Sequence, residues 1–204
     1  NSSNNIYAVG SYDSLVNNKD NFHGLIFHYD GQNWQRVNLA QNNYQFMKIY
    51  QESKGNGKYY IWGTSGNYVT GEDTLKFLEF DGSKTREIFA QLNTNITSCS
   101  MALINGKIYF VKNSDVCRYA NGAFTVIKTI AGIEQGFILG GRNENDLFFG
   151  MPDGIAHYNG TDLQYVYKKP VSTYIFDIAL FENEVFFLVD QMQEKSFIVK
   201  GILK

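Results

Sequence analysis

"HYDG" at residues 28–31 has the form of a hairpin reversal, with a ring closing one strand and an Asx–Gly pair turning the chain. The same move returns as "EFDG" at 79–82, "RYANG" at 118–122 and "HYNG" at 157–160. A second element precedes each turn: "IYAVG" at 6–10, "YYIWG" at 59–63, "IYFVK" at 108–112 and "LFFG" at 147–150, with "VFFLV" at 185–189. Aligning Tyr7, Tyr60, Tyr109, Phe148 and Phe186 gives spacings of 53, 49, 39 and 38 residues. Aligning Gly31, Gly82, Gly122 and Gly160 gives 51, 40 and 38. Two independent markers keep one order and nearly one period, as repeat architectures do.

One unit is legible between 95 and 130. "ITSCSMALI" reads as a strand, "NGK" as a tight turn and "IYFVK" as a second strand. "NSD" turns into "VCRYA", and "NG" leads into "AFTVIK". Asn–Gly and Asp–Gly tolerate positive φ at both centres of a type I′ turn, so the reversals built on these pairs, that of Gly160 included, are expected to be type I′. Four strands in about 40 residues is the pattern of a propeller blade. The second strand of each unit is almost wholly apolar, as a strand covered on both faces must be. The ring before each turn is expected to pack between sheets. A sandwich or barrel shares the short strands but rarely repeats its own sequence. Helix has no support: no window keeps apolar residues at i, i+3, i+4 and i+7.

The expected fold is therefore an all-β propeller of four-stranded antiparallel blades. It has about five units, over residues 1–204 as one domain or as part of a larger ring. The chain begins at a second strand, 6–10, and ends after a third, near 196–202, so two units are incomplete and the strands number eighteen. Incomplete units leave edges that another chain or a further segment would cover.

Composition narrows the partners. The 204 residues carry a formal charge of −2, and no run of Lys or Arg forms a stripe able to neutralise phosphates, which argues against nucleic acid. Asp177 and Glu182 break the best apolar stretch, so no transmembrane segment is expected. The polar start "NSSNN" suits a processed, extracytoplasmic chain. Cys99 and Cys117 fall on the first and third strands of one unit, about 9–10 Å apart with a strand between them. That exceeds disulfide reach, so two buried free thiols are expected.

"IYAVG" followed by "GLIFHYDGQNW" resembles the repeat of bacterial secreted and lipoprotein-type β-propellers. Their blades carry an aromatic-Ala-Val-Gly strand and then a Gly-Ile-x-His-Tyr-Asp-Gly hairpin ending in Trp. "DGIAHYNG" at 153–160 shares the likeness, and the last unit keeps only its hydrophobic outline. The resemblance implies a propeller and specifies no activity. The Trp-Asp ending of WD40 repeats and the Ser-x-Asp-x-Gly-x-x-Trp box of sialidase-type propellers are absent, and Gly140–Gly141, a kelch-like pair, occurs once.

Units one and two are longer than the rest, and the excess lies between their second and third strands, at 11–24 and 64–74. Read as loops on one face, these segments make a polar wall with aromatic tips. Its members are Tyr12, Asp13, Asn17, Asn18, Asp20, Asn21, Phe22 and His23, beside Asn67, Tyr68, Glu72 and Asp73. Long loops on a rigid scaffold commonly bind ligands, and a tolerated insertion without a role is the plain alternative. The acids and asparagines of 13–21 offer oxygens to calcium but lack the order of a recognised loop, and no cofactor is expected. His28 and His157 share one repeat position with Glu79 and Arg118, which marks a tolerated flank rather than a catalytic pair. No Gly-x-Ser-x-Gly elbow is present. The sequons at Asn1, Asn95 and Asn159 carry little weight in an Asn-rich chain.

Three functions compete: a non-catalytic binding or scaffold propeller that recognises a protein or glycan, a lectin with repeated sites between blades, and a glycan-active enzyme. The lectin needs similar polar-aromatic sets in every unit. The enzyme needs convergent acids, and the first strands supply only Asp177.

Overall fold

The computed structural model describes residues 4–16, 19–40, 43–53, 58–67, 72–92, 99–133, 138–168, 173–191 and 195–202. The described residues form eighteen strands in five antiparallel sheets, an all-β propeller of three four-stranded blades with a truncated sheet at each end. The first sheet orders β1 (Ile6–Val16), β2 (Lys19–Tyr29) and β3 (Trp34–Arg36). The second holds β4 (Gln45–Gln51), β5 (Tyr59–Asn67), β6 (Glu72–Phe80) and β7 (Thr85–Leu92). The third holds β8 (Cys99–Ile104), β9 (Lys107–Lys112), β10 (Asp115–Ala120) and β11 (Ala123–Thr129). β12 (Ile138–Asn143), β13 (Asp146–Met151), β14 (Gly154–Tyr158) and β15 (Leu163–Lys168) make the fourth. β16 (Thr173–Leu180), β17 (Glu184–Gln191) and β18 (Lys195–Ile202) make the last. Each sheet is a meander, so the repeat seen in sequence is one sheet per unit.

Two compact units, 1–94 and 95–204, divide the chain. In the first, Tyr7, Val9 and Ile26 of one sheet pack against Phe46, Ile61, Leu78 and Phe80 of the next. In the second, Tyr109, Val111 and Val116 meet Leu147, Phe149 and Ala156, and Phe148 and Ile155 meet Val185, Phe187 and Val189. The neighbours Phe148 and Phe149 thus serve different interfaces, because successive side chains on a strand point to opposite faces. This double burial is why the second strands read as apolar runs: all six residues of β13 are buried.

The Asn–Gly and Asp–Gly reversals fall into two kinds, and one expectation needs correction. At Asn105–Gly106 both φ values are positive, 50° and 75°, and at Asn121–Gly122 they are 54° and 81°, as type I′ requires. At Gly31, Gly82 and Gly160 only the glycine is positive, at 97–99°, and the strands join through four residues. The preceding Asx closes these loops with its side chain. Asp30 Oδ1 accepts from the Gln32 and Asn33 amides, Asp81 Oδ1 from those of Ser83 and Lys84, and Asn159 Oδ1 from those of Thr161 and Asp162, all at 2.8–3.0 Å. The Tyr29 and Tyr158 hydroxyls donate to the Gly31 and Gly160 carbonyls at 2.9 and 2.6 Å. An Asx turn therefore replaces type I′ at these three four-residue reversals.

Cys99 and Cys117 are buried free thiols on β8 and β10, with β9 between them. Burial pushes the Cys99 thiol up to about 12, so it stays protonated and unreactive near neutrality.

Two predictions test the turns. Gly160→Val places a β-branched residue at φ 97° with its Cβ 3.2 Å from Asn145 Cβ, and should cost about 1–2 kcal/mol in urea unfolding. Backbone amides hold the Asp30 and Asp81 carboxyls below their ordinary values. Their contribution is then full above the ordinary value of about 3.9 and lost as pH falls through the lowered one. The double variant Asp30→Asn, Asp81→Asn should keep the caps, as Asn159 does, and unfold at lower pH in a circular dichroism titration.

Candidate functional site

The long connection of unit one is a β-hairpin rather than a loop. β1 and β2 pair in one unbroken register from Ile6↔Tyr29 to Val16↔Lys19. In unit two, β5 and β6 pair out to Gly66↔Asp73 and Asn67↔Glu72. The two hairpins rise from the same end of adjacent sheets. At the base of the first, Gly24 admits the Phe46 ring, because a Cβ there would lie 2.5 Å from Phe46 Cε2. Tyr44 stacks on Phe46 at 5.4 Å, and the Lys76 ammonium lies 5.8 Å from the Tyr44 ring.

Strand pairing corrects the idea of a single wall, because alternate side chains face opposite ways. Tyr12 and His23 are cross-strand partners on one face, stacked at 4.8 Å with ring planes 22° apart. The Arg36 guanidinium sits 5.7 Å from the Tyr12 ring, and Ser14 Oγ is 2.7 Å from His23 Nε2. Asp13 and Phe22 pair on the opposite face. Asp20 and Asn21 lie on β2 opposite Leu15 and Ser14, while Asp73 is exposed beside the second hairpin's end. Asn17, Asn18 and Tyr68 lie outside the described residues. What the hairpin gathers is a four-residue stack, Arg36–Tyr12–His23–Ser14. A Ser–His bond can also activate a nucleophile. Here the adjacent acid, Asp13, points to the other face, and the pair sits on a protruding hairpin.

Sequence reasoning missed a second arrangement, in the unit 95–204. His157 Nε2 lies 2.7 Å from Asp146 Oδ1, Arg142 donates from Nε to Asp146 Oδ2, and Arg142 Nη1 donates to the Glu182 carbonyl at 3.1 Å. Arg142 is the extra residue of a bulge in β12, which aims its side chain at this cluster. Burial pushes the Asp146 carboxyl up, but the bonds from Arg142 and His157 outweigh it and the net shift is downward. The His157 ring stacks on Phe148 at 4.3 Å. A cleft of about 510 Å³ opens beside them, lined also by Tyr167, Phe187, Val199 and Lys200.

A His–Asp pair in a cleft resembles acid–base machinery, but the repeat argues otherwise. The same register holds Asn5 and His28 in the first sheet, 2.8 Å apart, with His28 stacked on Tyr7. In the second it holds Lys58 and Glu79 at 2.5 Å, with Glu79 opposite Tyr60 and also bonded by Arg86 at 2.8 Å. In the last it holds Glu184 and Lys200, with Lys200 opposite Phe186. In all four sheets, one polar residue two positions before the marker ring meets another that faces the ring across the hairpin. The third sheet departs: its positions are Lys107 and Arg118, and the Arg118 guanidinium lies 5.2 Å from the Tyr109 ring. Asp146–His157 is one copy of a structural clasp. The signal was in the sequence, as a polar residue two before the aligned ring in four of the five sheets, able to bond the residue that faces the ring across the hairpin.

Among the described residues no three His, Cys, Asp or Glu side chains gather as a metal site, and no helix is long and apolar enough to cross a membrane. No protein-family model matches the chain, and no curated protein matches it in sequence. Among solved structures it is similar to the extracellular domain of a candidate one-component system from B. thetaiotaomicron, at a TM-score of 0.51 and 12% identity. The likeness covers 86% of this chain and 25% of that one, so this chain spans a quarter of the protein it matches. At that identity the likeness concerns the fold.

Asp146→Ala should destabilise by about 1–3 kcal/mol, because it strips a buried acceptor from Arg142 and His157. Asp146→Asn should cost less than half as much, since Asn5 performs the same task for His28. Thermal unfolding of the two variants distinguishes a clasp from a site that needs the charge.

Proposed function

We propose that this propeller is a non-catalytic binding module of an extracytoplasmic bacterial protein, and that its ligand is a glycan held at the first hairpin. The observation that carries the reading is the exposed stack Arg36–Tyr12–His23–Ser14. A ring with 41% of its surface exposed, backed by a second ring and flanked by a guanidinium and a hydroxyl, offers what a sugar uses: an apolar face and polar edges. Asn17, Asn18, Asp20 and Asn21 would add polar contacts around the stack, whereas Asp13 and Phe22 would face the adjoining sheet, on the side of Asn67, Tyr68, Glu72 and Asp73.

The likeness of "IYAVG…GLIFHYDGQNW" to secreted and lipoprotein-type propellers supports an extracytoplasmic location. The shared fold with a domain described as extracellular points the same way. A lectin with equivalent sites between all blades is less favoured, because the clasp residues change from Asn–His to Lys–Glu, Asp–His and Glu–Lys between sheets.

A glycan array probed with the whole chain, with Tyr12→Ala and with Arg36→Ala tests the reading. Loss of a stacking ring should weaken the best glycan several-fold, the effect of about 1 kcal/mol. Glycan binding that both variants retain in full would place the ligand elsewhere.

A further inference from the structure

The stack on the first hairpin contains a cation that the protein leaves without a counter-ion. Arg86 bonds Glu79, and Arg142 bonds Asp146. The exposed Arg36 guanidinium meets no carboxylate among the described residues, and its contact is the Tyr12 ring, 5.7 Å away. Stacking on a ring occupies the flat face of a guanidinium, while its N–H groups lie in the plane and stay open to an acceptor. Strand alternation also keeps acids off this face. The described residues that share the Tyr12 side of β1, β2 and β3 include no Asp or Glu, and Asp13 lies on the opposite side.

The rings of the stack stand clear of the sheet's body. β9 and β13 stop three residues past their marker rings, at Lys112 and Met151, whereas β1 runs nine past Tyr7, to Val16. Tyr12 is five past Tyr7 with His23 opposite it, in the part of the ribbon that outreaches a sheet of ordinary height. Arg36 reaches the Tyr12 ring from β3, where it pairs with Phe27. Ser14 Oγ, 2.7 Å from His23 Nε2, adds a hydroxyl at the same level. A ring and a hydroxyl suit any sugar. An unneutralised guanidinium beside them favours a sugar that carries an oxyanion, because a charge-assisted bond is about twice as strong as a neutral one.

We propose that the ligand of this hairpin is an acidic glycan, whose carboxylate or sulfate accepts from Arg36 while its sugar ring lies against Tyr12. The planar fork of Arg36 bonds either oxyanion through two N–H groups at once. The proposal rests on the glycan reading above and adds the charge that the glycan must carry. It also divides the work of recognition: Tyr12 contributes to binding of any sugar, and Arg36 separates acidic sugars from neutral ones.

The test is an array that holds uronate-bearing and sulfate-bearing oligosaccharides, each beside its carboxyl-reduced or desulfated form, probed with the whole chain. In the best pair the acidic member should bind roughly tenfold more tightly than its neutral partner, and the kind of pair names the oxyanion. Rising salt should narrow that gap. Arg36→Ala should lower the acidic member to the level of the neutral one, whereas Tyr12→Ala should weaken both members. Lys195→Ala removes an exposed cation from the other unit and should change neither. A neutral best ligand overturns the acidic class and leaves the glycan reading standing. So does a preference that Arg36→Ala leaves intact, or that Lys195→Ala reduces as much. Binding of no glycan, or binding indifferent to both Tyr12→Ala and Arg36→Ala, overturns the glycan reading and this proposal with it.

Discussion

Each sheet must hide apolar surface while keeping its polar groups satisfied, and in four of the five a hairpin clasp beside the marker ring meets both needs. A ring on the second strand lies under a polar side chain on the third, and a complementary residue two positions before the ring bonds to that side chain. Glu79 and Asp146 are 8% and 9% exposed, and a carboxylate so placed is costly unless paired. Because both partners belong to one hairpin, the sheet neutralises itself before it docks. Neighbouring sheets can then meet through apolar contacts without matching polar groups. That independence explains how the clasp changes chemistry from sheet to sheet while the stacking stays the same.

The clasp also bears on function. A His–Asp pair at 2.7 Å, beside a cleft and an arginine, has the outline of a reactive centre. Its equivalents in other sheets are Asn–His, Lys–Glu and Glu–Lys, which share geometry and share no chemistry. A scaffold element tolerates such exchange, whereas a catalytic pair does not. Distinctive features then remain where the repeat is broken, in the two lengthened hairpins.

The candidate site was legible in part. Extra length between second and third strands marked both hairpins, but their polar composition read as loop. Tyr12 and Ser14 on β1 and His23 on β2 already alternate with residues of the other face. The apolar contrast that usually reveals such alternation is missing in a ribbon that protrudes past the core. The Asx turns were half-read for a related reason. "DG" and "NG" mark a reversal, but the neighbouring residues decide whether two residues or four close it, and the Asx side chain makes the longer closure stable.

Repetition by itself determined the strand order, the five sheets with their missing first and fourth strands, and the separation of the two thiols. These follow from local rules that recur every 38 to 53 residues, so each copy corroborates the others. Tertiary structure decided which residues meet: Arg36 over Tyr12, Ser14 with His23, Asp146 between Arg142 and His157, and the cleft beside β18. Those contacts depend on bulges, on register and on which face a side chain takes, and a shift of one residue along a strand reverses that last choice.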